Sequence, residues 1–104
     1  MSKQGKVITL PSEEEILNRL KKLKMDDYMV EKFYPLITAE AGHELVAEGV
    51  VLMLAIRIHE FVNSGYPPFI ESILHLYVPQ IIDVLVDDAE VAEEAKRFHQ
   101  KAIG

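Results

Sequence analysis

The chain of 104 residues has no cysteine and no tryptophan. Without thiols there is no disulfide scaffold, no thiolate metal site, no cysteine nucleophile and no redox thiol pair. Positive charge is scarce: 11 Lys and Arg against 17 Asp and Glu leave a net charge of −6. A nucleic-acid partner is therefore not expected, because binding a phosphate backbone needs concentrated positive charge. Long hydrophobic runs are missing as well. The longest, Gly49 to Ile56, lies between Glu48 and Arg57, whereas a membrane-spanning helix needs about 20 apolar residues. Met1 to Lys6 is polar, without the apolar stretch of a secretory signal. The expectation is a cytoplasmic protein with no membrane association.

Catalytic signatures are equally sparse. The serines are Ser2, Ser12, Ser64 and Ser72, and none sits in a G-x-S-x-G elbow. A phosphate-binding loop and a dinucleotide fingerprint are also lacking. No catalytic residues are assigned, and the reading leans away from an enzyme.

What remains is the balance of one compact globular domain: 49% apolar and 27% charged residues, with five glycines and five prolines. Charge is unevenly distributed. Residues 1–32 carry a net +1, residues 33–95 carry eleven acids against the single base Arg57, and the last nine residues carry +3. Most of these acids suit solvated helix faces. The acidic middle would also fit a basic protein partner, or the basic ends of a neighbouring copy.

The pattern predicts an all-α protein, a small bundle of about five helices with a short extended N-terminal arm. The arm is residues 1–11 and the single helical domain residues 12–104. Val7-Ile8-Thr9-Leu10 is mostly β-branched and closed by Pro11, so it reads as extended. Ser12 and Glu15 form an S-x-x-E capping box for a first helix running to Lys24. Asp26 or Asp27 opens a second that ends before Pro35. Thr38 caps a third from about Ala39 to Val62, stopped by Asn63-Ser64-Gly65. Pro67 and Pro68 lead into a fourth over Phe69 to Val86. Asp87 and Glu90 open a fifth to Ile103, with Glu93 and Arg97 paired one turn apart.

Two of these helices are apolar around more than one face. Residues 49–56 are apolar all round, and the fourth helix carries Ile73, Leu74, Leu76, Tyr77, Val78, Ile81, Ile82, Val84, Leu85 and Val86. Helices of this kind are surrounded by protein, and three short neighbours are poor cover for both. The reading is a homodimer acting as a protein-interaction or assembly module. Its shared core is placed at Gly49, Val50, Leu52, Met53, Ile56, Ile81 and Leu85.

Two clusters offer alternatives. Glu40, His43 and Glu44 place a Glu-x-x-His element on one helical face, the pattern of carboxylate-bridged metal bundles. No cofactor is expected by default, but this cluster would suit a divalent metal in a ferritin-like protein. Glu71 and His75 lie one turn apart, and Pro79 cannot donate to the His75 carbonyl. With Tyr77, they define a candidate small-molecule pocket beside a proline kink, to which Asp83 could contribute. Tyr34, Tyr66 and Tyr77 all lie in aromatic-proline contexts that could line a pocket or contain cis bonds. His59 suits a helix C-terminus, and His99, among basic residues, reads as exposed.

Overall fold

Ser12 caps the first helix as its spacing implies, and the rest of the bundle follows from where the chain can and cannot stay helical. The computed structural model describes residues 6–65 and 69–103, with Ile103 described by its backbone alone. It is mostly helical, 72%, with five α-helices and one minute sheet. Among the described residues no helix is long and apolar enough to cross a membrane.

The arm becomes part of the body. Ile8–Thr9 (β1) pairs antiparallel with Glu44–Leu45 (β2), Ile8 opposite Leu45 and Thr9 opposite Glu44. Leu10, next along, is buried and donates its N–H to the His43 carbonyl at 2.9 Å. Helix α1 (Glu13–Lys21) starts where the Ser12 hydroxyl accepts from the Glu15 N–H at 3.2 Å. Glu15 turns its carboxylate to Arg19 rather than back to the cap. The helix stops at Lys21, short of Lys24, which adopts a left-handed φ of 57°.

The second helical segment runs through Pro35 instead of ending before it. A π-helical turn over Met29–Phe33 leads directly into α2 (Tyr34–Thr38). Proline lacks an N–H, and its ring clashes with the carbonyl four residues back. In the wider turn the Tyr34 N–H reaches the Met29 carbonyl five residues back, which makes room for the ring. The Tyr34–Pro35 bond is not cis, and no cis peptide occurs among the described residues.

The expected third helix begins eight residues late. Residues 39–43 form successive tight turns, through Glu40 N–H to Ile37, Ala41 N–H to Thr38 and His43 N–H to Glu40. Gly42 takes φ +79°, which interrupts the helix. Its N–H is claimed by the carbonyls of Leu10 and Pro11, so pairing with the arm overrides local helix propensity. Thr38 is not a cap; it ends α2 and donates its hydroxyl to the Pro35 carbonyl. Helix α3 (Ala47–Val62) then runs to Asn63, and Gly65 follows at φ +108°.

Helix α4 (Phe69–Leu85) keeps Pro79 inside it, and α5 (Ala89–Ile103) closes the chain. Asp88, rather than Asp87, starts α5: its Oδ1 accepts from the N–H groups of Glu90 and Val91. Glu93 approaches Lys96 at 3.7 Å instead of pairing with Arg97. Pro67, Pro68 and Tyr66 lie outside the described residues.

Helix α3 is the hub, touching α2, α4, α5, the π turn and β2, while α1 packs on α2 and α4. The core includes Ile16 and Leu20 of α1, Phe33 and Tyr34, and Leu74, Val78 and Ile81 of α4. Phe33 meets Phe61 edge-on, with ring centroids 5.4 Å apart at 67°. The Tyr34 hydroxyl donates to the Leu20 carbonyl at 2.7 Å. The basic ends fold back on this chain's own acidic segment: Lys6 pairs with Asp88, Lys96 with Asp83 at 2.8 Å. Arg19 binds Asp87 at 2.8 Å and the Val84 carbonyl at 2.9 Å, one of the orphan acceptors at the end of α4.

Candidate functional site

Three places on this scaffold gather groups that could do more than hold the fold together. The first is a charged network on α3. Arg57 extends one Nη to Glu40 and the other to Glu60, 2.9 Å away, and Glu40 Oε1 lies 2.8 Å from His43 Nδ1. The Arg57 Nε–H is buried without a partner. Burial alone would raise the Glu40 pKa, but hydrogen bonds from Arg57 and His43, with their charges, hold it below the ordinary carboxylate value. Folded Glu40 therefore ionises more readily than unfolded Glu40, so the network's contribution is complete above the usual carboxylate range and is lost as pH falls through the folded value.

This arrangement changes the metal reading. Glu40 and His43 are brought together, but by the turns after α2 and not on a helix. Glu44 lies apart on β2. Both Glu40 oxygens are engaged by protein cations or imidazole. Among the described residues, no group of three or more His, Asp or Glu side chains could hold a metal ion.

The second place is the contact between α4 and α5 at Pro79. The carbonyl of His75 is not left open: it accepts from His99 Nε2 at 3.2 Å. The two imidazoles stack with centroids 5.7 Å apart and planes 19° from parallel. His99, expected to be exposed, is buried, because it lies on the face of α5 that also carries the buried Ala92 and Ala95. A cavity of about 190 Å³ adjoins the pair, lined by Val51, Leu54, Ala55, His75, Val78, His99 and Ala102. The other expected members are dispersed. Glu71 is exposed on the first turn of α4, Asp83 is tied to Lys96, and Tyr77 faces a different groove. Tyr34 is wholly buried, and Tyr66, the third expected tyrosine, lies outside the described residues.

The third place is apolar. Along α4, Phe69, Ile73 and Leu76 recur at intervals of four and three and are 61%, 38% and 75% exposed. Phe69 and Ile73 also border a groove of about 290 Å³ against the π turn, lined with them by Met25, Asp26, Met29, Ile70, Leu74 and Tyr77. On α3, Leu52 and Ile56 are also more than half exposed, beside Gly49 and the Arg57 network. Four of the residues placed in a shared core, Val50, Met53, Ile81 and Leu85, are instead covered by this chain's own helices.

Sequence reasoning missed Arg57, His99, Phe69 and the methionines of the groove. Arg57 carried a usable signal, since it is the single base between residues 33 and 95. The helical positions of α4 separate a row at Phe69, Ile73 and Leu76 from one at Leu74, Val78 and Ile81, but both are apolar, so the sequence alone does not say which row faces solvent. Compared with protein families, characterised proteins and solved structures, the chain matches none.

Proposed function

We propose that this protein is an assembly module that pairs with a second copy of itself through the solvent row of α4. The observation that carries this is the uninterrupted trio Phe69, Ile73 and Leu76, large apolar side chains standing in water on one helix face. The spacing of i, i+4 and i+7 is that of a helix whose apolar face docks into a groove. The groove is present beside it, floored by Met25, Met29 and Tyr77. A surface holding both a ridge and a groove is self-complementary, as a two-fold interface requires, because each copy offers the same patch. Methionine suits such a surface, since its unbranched thioether adapts to an irregular neighbour.

Among the described residues nothing covers this row, because the bundle is thin. Its shortest dimension is 19 Å, about two helix diameters, so α4 has neighbours on one side and solvent on the other. The interaction role expected from the sequence is retained, and its place moves from the middle of α3 and the second half of α4 to the first half of α4.

The test is a pair of charge insertions followed by light scattering on a sizing column. Leu76→Asp puts an unpaired carboxylate in the proposed contact and is expected to convert the assembly to monomers that keep their helical fold. Leu52→Asp, on the other exposed face, is expected to leave the mass as it was. Dissociation by Leu52→Asp but not by Leu76→Asp would overturn the assignment.

A further inference from the structure

We propose that the stacked pair His75 and His99 is an acid-sensitive latch that fastens the last turns of α5 to α4 and opens when the buried His99 ring takes up a proton. It is independent of how copies of the chain associate.

The latch depends on Pro79. Because proline has no N–H, the His75 carbonyl has no intrahelical donor, and His99 Nε2 supplies one from α5 at 3.2 Å. A carbonyl can only accept, so in the closed state His99 carries its proton on Nε2. Closure also lays the two rings together at 5.7 Å.

Among the described residues, none that faces the pair balances its charge. From α3 the pair faces Val51, Leu54 and Ala55, none of which titrates. From α5 it faces Ala102, while Lys96, one turn before His99, is occupied by Asp83 and Glu93. Glu71, one turn before His75 on α4, is exposed and makes no contact with the pair. His75 is the titratable group that acts on His99, and it does so as a like charge. Burial depresses the His99 pKa, and the bond to the His75 carbonyl opposes this without overcoming it. Protonating His99 then places a charged ring against the His75 ring in an apolar setting. Opening α5 returns the charged His99 ring to water.

The sign of the pH dependence follows. His99 has a lower pKa closed than open, so the open form binds more protons. Closure is intact above the ordinary histidine value of about 6.5 and weakens as pH falls through the closed-state value. Each extra proton taken up on opening raises the opening constant by up to about tenfold per pH unit.

Amide hydrogen exchange, corrected for intrinsic rates and followed between pH 7.5 and 5, tests this on the whole chain. Protection at residues 98–103 is expected to fall by about tenfold or more on acidification, while the amides of α3 change much less. His99→Gln keeps an N–H donor for the His75 carbonyl but cannot titrate in this range, and is expected to hold its protection across the range. His75→Phe preserves the carbonyl and removes the like charge, so its response should be weaker than that of the natural chain. An unchanged acid response in His99→Gln, or loss of protection spread evenly over all five helices, would overturn the latch.

Discussion

Replacing Arg57 by leucine is expected to cost about 3 kcal/mol of folding stability at neutral pH, read from urea unfolding. The partner left behind is the reason. Glu40 has little contact with solvent, and Arg57 supplies the strongest of the interactions that keep it ionised. Removing one member of a buried pair strands the other charge, which typically costs about 3–5 kcal/mol. The lower end applies because His43 stays within 2.8 Å of Glu40. The double replacement Glu40→Leu with Arg57→Leu is expected to recover most of the loss, since a buried pair exchanged for apolar side chains is often neutral. A single-variant loss below about 1 kcal/mol, as for exposed pairs, would show that the network is a surface feature.

Phe33→Ala is expected to be the most damaging single truncation, at about 3–5 kcal/mol by chemical denaturation. The ring is fully buried and meets Phe61 edge-on, so its loss opens a void between the π turn and α3. Small domains hold only about 5–15 kcal/mol in total, so this one change removes a large share. Its position on the π turn adds a second consequence. Phe33 sits where the chain widens ahead of Pro35, and packing against Phe61 holds that turn in place. Tyr34→Phe should cost less, because it keeps the ring and loses only the hydroxyl's bond to Leu20.

Local signals were legible wherever one short segment decides its own conformation. Ser12 before three glutamates, the Asn63-Ser64-Gly65 stop and the apolar-rich spans of α3 and α4 all read correctly, because caps and periodicity act over a few residues. Long-range choices were not legible. The start of α3 moved from Ala39 to Ala47 because the N-terminal arm, more than thirty residues earlier, takes the hydrogen bonds of Gly42 and His43. Pro35 failed to end its helix because a π turn absorbed it.

The candidate sites divide in the same way. Glu40 and His43 do meet, three residues apart, but their companion is Arg57 from α3 and not Glu44. His75 was singled out for its freed carbonyl, and the group that answers it, His99, had been read as an exposed tail residue. The surplus of apolar surface was visible, but its location was not. Buried and solvent rows on α4 interleave one residue apart, so the sequence must be set against the other helices before Leu76 can be told from Val78.

The measurement that bears most directly on the central claim is the mass of the natural chain by light scattering across a dilution series. The account predicts about twice the 11.8 kDa chain mass at high micromolar concentration, falling toward 11.8 kDa on dilution. A constant mass of 11.8 kDa throughout, with the α4 row still open to solvent, would contradict it.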